Sequence, residues 1–173
     1  MKKPVMLIES SNRPNIGYVV KVASPDPSKT FQTVVKNLRE QKENYKHTIV
    51  YCQSIRVTQP YGFFQAKLGK DIYADETIDP RERFVEMFHS RIDELNWEQI
   101  LQLMTVSDGS IQMLIETIAY GMGIDCKDVK VVIHYGPSKN LEAYMQEWGR
   151  AGRTNCEMCK SVVSSQTLIT LPL

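Results

Sequence analysis

"VKVVIHYGPSKNLEAYMQEWGRAGR", residues 129–153, decides how this chain folds. Its first seven residues form an apolar run with little polar alternation, the pattern of a parallel strand buried on both faces. Gly136 and Pro137 break the run. Ser138 or Asn140 is then placed to cap a helix through about Trp148, in which Leu141, Tyr144, Met145 and Trp148 recur at core spacing.

The same alternation of strand and helix extends along the chain. "IGYVVKV" (16–22) reads as a strand, and Ser28 as the cap of a helix through about Asn44 with Phe31, Val34, Val35 and Leu38 on one face. "HTIVYC" (47–52) is a second buried strand, and a helix follows from about Ser54 to Leu68, where Pro60 demands a kink or a late start. Residues 69–83 read as loop. "DPRERFVEMFH" (79–89) admits two readings, a helix starting at Asp79–Pro80 or a short strand over Val85–Phe88. Glu94–Met104 is a clearer helix, and "IQMLIE" (111–116) and "CKSVVSS" (159–165) are strands. The predicted class is α/β, a parallel sheet flanked by helices in three layers. Ligands of such sheets sit at the carboxyl ends of the strands, where the unusual sequences of this chain are expected to fall.

The 173 residues suffice for one domain with a sizeable core. Residues 1–16, with "SSNRPN" (10–15), read as a lead-in, 17–165 as the domain and 166–173 as a tail. A formal net charge of +1 predicts no bulk attraction to nucleic acid, so any such role must rest on local geometry. No apolar run approaches a membrane span, and the first residues lack the features of a signal peptide, so the expected location is intracellular, cytosolic or nuclear. Of four cysteines, Cys156 and Cys159 form a C-x-x-C pair without a second pair nearby, which reads as two free thiols; no metal site is expected.

Two segments carry chemistry. In "TIAYGMGID" (117–125), Gly121 and Gly123 free the backbone for close approach to a ligand, Thr117 offers a hydroxyl for phosphate, and Asp125 a carboxylate for a sugar hydroxyl. A tight strand-to-helix turn explains the same residues, and the spacing is not that of a dinucleotide fingerprint. In "QEWGRAGR" (146–153), Arg150 and Arg153 flank glycines at a helix end. Guanidinium forks match phosphate oxygens and stay charged, so the pair suits charge developing on a transferred phosphoryl group. Solvated arginines beside a C-cap glycine are the alternative.

These segments resemble the C-terminal lobe of RecQ-type DNA helicases. "TIAYGMGID" is similar to that family's motif V, "QEWGRAGR" to its motif VI, and "TIVYCQSIR" (48–56) to its motif IV. "SSNRPNIGYVV" (10–20) resembles the lead-in to the second lobe, and "MFHS" (87–90) a segment near the DNA path. The resemblance implies a RecA-like lobe that closes on ATP and Mg2+ held mainly by a first lobe. It places Gln146, Arg150 and Arg153 at the triphosphate as catalytic groups, the arginines as fingers. Gly123 and Asp125 would lie beside the nucleotide, and Thr117, Ser54, Arg56, His89 and Ser90 toward the backbone of DNA at a single-strand to duplex junction. It further implies 3′ to 5′ translocation, a nuclear setting, and work in DNA repair and recombination.

The sequence departs from the family pattern in places. Glu116 stands where Ala is usual, an acid expected to repel a phosphate path. Gln112 replaces a frequent arginine, Trp148 a smaller residue, and "TNCEMC" the usual continuation after Arg153. No phosphate-cradling G-x-x-x-x-G-K-[ST] loop occurs, so the isolated chain is expected to lack ATPase activity, with the first lobe missing. An orphaned lobe that binds nucleic acid or protein without catalysis is the alternative, and a related superfamily 2 RNA helicase lobe a third reading.

Overall fold

The computed structural model describes residues 13–22, 24, 26–53, 58–74, 78–89, 92, 94–105, 109–117, 129–152 and 159–165. Among these residues, six strands form one sheet: β1 (Ile16–Val22), β2 (Thr48–Cys52), β3 (Val85–Phe88), β4 (Met113–Thr117), β5 (Val131–Tyr135) and β6 (Cys159–Ser165). Their order is β1-β6-β5-β2-β4-β3, and every pairing is parallel. The helices are α1 (Pro27–Thr30), α2 (Gln32–Gln41), α3 (Thr58–Leu68), α4 (Glu94–Thr105) and α5 (Leu141–Trp148).

β2 lies between β5 and β4, and all five of its residues are buried, as its unbroken apolar run requires. Successive side chains go to opposite faces. Val50, Cys52, Ile115 and Ile133 join Phe31, Leu38 and Phe64 from α2, α3 and the junction before α2. Ile49, Tyr51, Leu114 and Val132 join Ile100 and Met104 of α4 and Trp148 of α5. The result is the expected three-layer α/β sandwich. β1 is an edge strand whose apolar residues turn increasingly outward, Tyr18 at 50% exposure, Val20 at 59% and Val22 at 86%.

Local structure sharpens or corrects the sequence expectations at several points. Asp26, not Ser28, caps the first helix: its carboxylate accepts from the Ser28 amide at 2.9 Å, and Pro27 occupies the first helical position, where a missing N–H costs nothing. That helix breaks at Phe31, whose ring is driven into the core against Phe64 at 5.4 Å and Tyr135 at 5.0 Å; α2 then ends at Gln41, followed by a single 3₁₀ turn over Lys42–Asn44. α3 starts late, at Thr58, so that Pro60 falls in the first turn and no kink is needed; residues 54–57 lie outside the described ones. Within 69–83 there are two 3₁₀ turns, Gly69–Ile72 and Pro80–Glu82, the second capped by Asp79. Their flanks are tied by Ala74 N–H to Glu82 O at 2.7 Å and Phe84 N–H to Ile72 O at 2.8 Å, and "VEMF" is the strand β3.

The inward stripe of α5 is also displaced. Asn140 is its cap, accepting from Ala143 N–H at 2.8 Å. Leu141 is 61% exposed and Met145 41% exposed, whereas Tyr144, Glu147 and Trp148 face inward. Glu147 is drawn in by polar partners on β5 and the turn after it, and this rotates the helix away from its apolar pattern. Trp148 is core packing: it is buried, meets Tyr18 edge-on at 5.2 Å, and donates to Met145 Sδ at 3.1 Å.

Phe64→Ala removes a fully buried ring and should cost about 3–5 kcal/mol in chemical denaturation. Leu95→Ala, at a residue 80% exposed on α4, should stay within about 0.5 kcal/mol of wild type.

Candidate functional site

Where helices cover both faces of a sheet, the strand ends are open to ligands. At the carboxyl end, Thr117 closes β4 and sits level with Cys52 in β2, which is itself level with Tyr135 in β5. Phe88 pairs with Glu116, so His89 follows β3 at the level of Thr117. Thr117 is 4% exposed. His89 is half-buried and lines an open groove with Tyr61, Arg81, Arg83 and Glu86. Arg83 Nη1 donates to the Tyr61 hydroxyl at 3.2 Å, and that hydroxyl donates to Glu86 Oε1 at 3.2 Å. The turns after β2 and β5 are joined by Gln53 Nε2 donating to Pro137 O at 3.2 Å. Gly136 takes φ +105° in the turn, a conformation closed to most side chains.

The arginine-bearing turn is elsewhere. A helix connecting two parallel strands must return to the start of the sheet, and the turn after α5 lies at the amino ends of the strands. The Gly152 N–H donates to Val129 O at 3.0 Å, and the neighbouring Lys130 N–H donates to His47 O, just ahead of β2, at 3.0 Å. Gly152 itself has φ +66°. Gly149, Arg150 and Ala151 donate their amides back to Met145, Glu147 and Trp148. Arg13 of the lead-in donates to Gly149 O at 2.8 Å through Nη1 and to Gly152 O at 2.5 Å through Nη2, and Asn15 Nδ2 adds a bond to Gly152 O at 3.1 Å.

Between the two ends lies a row of buried polar groups. Glu116, Tyr51 and His134 are in register on β4, β2 and β5, all at most 1% exposed. His134 stacks on Tyr51 at 5.3 Å and, through Nε2, donates to Glu147 Oε2 at 2.9 Å, the tautomer being assigned from its carboxylate partner. Ser138 Oγ donates to the same oxygen at 2.6 Å. The Tyr51 hydroxyl and Glu116 interact only through a contact of poor hydrogen-bond geometry, and neither group has another hydrogen-bond partner among the described residues. Burial pushes the Glu116 carboxyl up from 4.5 to about 7; Tyr51 and the Arg150 charge oppose this, and Glu147 adds to it. Burial also lifts the Tyr51 phenol well above its usual range and the Cys52 thiol to about 12, which leaves Cys52 unreactive.

The expected site residues are therefore split. Thr117 and His89 share the carboxyl end. Arg150 is on the turn at the amino end, 7% exposed, its charge acting on Tyr51 and Glu116, and Gln146 is exposed on α5. The expectation that both motifs meet at the carboxyl ends is corrected by the return path of α5. Ser54, Arg56, Ser90, Gly121, Gly123, Asp125, Arg153 and Cys156 lie outside the described residues. Glu116 points into the interior, so the repulsion expected from it at a phosphate path does not arise. Gln112 precedes β4 at the amino side, where its backbone N–H donates to Phe84 O and its carbonyl accepts from Thr48 N–H, both at 2.9 Å; it is remote from the Thr117 end. Sequence reasoning assigned no role to Arg13, Asn15 or Glu147, although all three lie in segments singled out for their family likeness.

The family described as helicase conserved C-terminal domain matches residues 29–155. This chain belongs to that family. It is 34% identical over 151 residues to ATP-dependent DNA helicase Q-like 2 of Arabidopsis thaliana, covering 87% of this chain and 19% of that protein. It is 32% identical to ATP-dependent DNA helicase Q1 of Rattus norvegicus, covering 88% of this chain and 22% of that protein. The helicase domain thus spans about a fifth of the length of these curated relatives, and its likeness to the RecQ type holds over most of its residues. Among solved structures, the DEAD-box helicase Mss116 bound to single-stranded RNA and UDP-BeF superposes with a TM-score of 0.70 at 17% identity, over 92% of this chain and 30% of that one. That likeness establishes the RecA-like helicase fold. Among the described residues, no helix of the domain is long and apolar enough to cross a membrane.

Burial makes Glu116 a pH-dependent liability. Its carboxyl loses the proton near 4.5 when unfolded and near 7 when folded, so the folded form is penalised as pH rises through this window. The unfolding free energy of Glu116→Gln relative to wild type should be flat below pH 4.5, rise towards pH 7, and level off above it at a gain on the order of 3 kcal/mol. A difference that stays flat throughout would show that the acid is paired inside the fold.

Proposed function

We propose that this chain is the second lobe of an ATP-dependent DNA helicase that translocates 3′ to 5′, working with a first lobe that holds ATP and Mg2+ inside a nuclear protein. The supporting observation is the use of both ends of one sheet. Thr117 and His89 share the carboxyl end, and the arginine-bearing turn is locked at the amino end beside the lead-in. Two ligands, one on each end of a rigid sheet, match the needs of a motor that couples a nucleotide to a nucleic-acid track.

The groups at the amino end fit the phosphate end of a nucleotide. Guanidinium and carboxamide are donors without acceptor competition from a free acid, and they suit phosphate oxygens. ATP, when bound, supplies the phosphoryl group and the free energy of its transfer. In this reading Arg153 and Gln146 reach the phosphates, with Asp125 and Gly123 beside the nucleotide. Arg150, buried, offsets the charge of Glu116. At the carboxyl end Thr117, His89, Ser54, Arg56 and Ser90 grip the DNA backbone. Lobe closure would bring Arg153 to the transferring phosphoryl group, and release would reset the grip. A non-catalytic binding module draws its support from Glu116, Gln112 and the missing first lobe; of these, Glu116 is buried in the interior and Gln112 precedes β4 at its amino side.

With a first lobe supplied, Arg153→Ala should lower kcat for ATP hydrolysis by about 10³-fold or more while the melting temperature stays at wild type. Wild-type turnover from that variant defeats the assignment. The chain alone should hydrolyse no ATP above background.

A further inference from the structure

We infer that Arg13 is a positioning residue for the arginine-bearing turn: its guanidinium fork bridges the carbonyls of Gly149 and Gly152 and fixes the turn between them, which carries Arg150. The inference rests on the helicase-lobe reading above and gives a role to a residue of the lead-in segment that the sequence reading left without one.

The geometry is specific. Nη1 donates to Gly149 O at 2.8 Å and Nη2 to Gly152 O at 2.5 Å, two carbonyls at either end of one turn. Asn15 Nδ2 binds the second carbonyl at 3.1 Å. Arg13 is itself held, since its carbonyl accepts from the Ile16 N–H at 3.0 Å where β1 begins. Gly152 is consequently fixed on both sides, by its amide on Val129 O and by its carbonyl on Arg13 and Asn15. A peptide unit is planar, so carbonyls fixed at Gly149 and Gly152 limit how the peptides between them, which carry Arg150, can rotate. A glycine at φ +66° would otherwise be the most pliable point of the turn. Only an arginine spans two carbonyls with parallel donors; a lysine ammonium is a single point. The last carbonyls of a helix and its exit turn are groups that need such partners. A misplacement of about 1 Å at a catalytic group costs up to about 10²-fold in rate.

The test has two arms. On the chain itself, hydrogen exchange of the Gly149, Arg150, Ala151 and Gly152 amides is compared with that of Val132 and Ile133 in β5. Arg13→Ala should speed the first group about tenfold or more and leave the second unchanged, and Arg13→Lys should fall between. In the chain joined to an ATP-binding first lobe, Arg13→Ala should lower kcat by about 10- to 100-fold with the KM for ATP within about twofold. Added guanidinium ion should restore part of that loss, which a merely structural defect would not permit. Unchanged exchange at Gly149–Gly152 overturns the inference, and so does a loosened turn with wild-type kcat. Should Arg13→Ala fail to fold, Arg13→Lys carries the same comparison. Full turnover in Arg153→Ala would sink the helicase-lobe reading instead, an outcome that the exchange arm tells apart from failure of the clamp.

Discussion

Burial of β2, β4 and β5 on both faces is the constraint from which the rest of this domain follows. Their peptide groups have no access to water, so each must be paired within the sheet, and the parallel ladders on either side of β2 do this. Their side chains must then be apolar or internally satisfied, and the faces are closed by α1–α3 on one side and α4–α5 on the other. Chemistry is left only the ends. Parallel pairing adds a direction, since every connecting helix starts at the carboxyl end and returns to the amino end. One end collects the residues that follow strands, such as Thr117 and His89, and the other those that follow helices, such as Arg150.

The interior row of Glu116, Tyr51, His134 and Glu147 is an exception to apolar filling. Its four groups are paired unequally: Glu147 accepts two well-formed hydrogen bonds, while Glu116 has only a poorly aligned contact with Tyr51. Among the described residues, the positive charge of Arg150 favours the ionised forms of both Glu116 and Tyr51. A cation that neutralises buried acids is poorly placed to leave them for an external phosphate, because departure would strand uncompensated charge in a low dielectric. This divides the labour of the two arginines in the proposed mechanism: one anchors, the other reaches.

Much of the fold was legible because periodicity is a local property. The run "HTIVYC" could only be a strand buried on both faces, and "MLIET" and "VVIHY" follow the same logic. The caps were half legible: Asn140 was foreseen as one of two candidates, whereas Asp26 was passed over for Ser28 two residues on. The inward face of α5 was misread because apolarity alone set the stripe, and the polar pull of His134 and Ser138 on Glu147 needs a register between strand and helix that no window of sequence contains. The clamp of Arg13 on Gly149 and Gly152 was invisible for the same reason, its partners being separated by 136 and 139 residues. The motif arginines could be named from the sequence, but their edge of the sheet could not, since that depends on where α5 delivers the chain.

The pairing of β1 with β6 alone has a bearing on biosynthesis. β1 is an edge strand, and its single neighbour is the last strand of the sheet. A ribosome releases residues in order, so β1 emerges first and must wait, with Tyr18, Val20 and Val22 bare, until Cys159–Ser165 has been made. Closing so long a loop is slow, and an unpaired apolar strand invites wrong partners in the interval. Nascent chains truncated ahead of β6 should accordingly need chaperone protection that the finished domain does not.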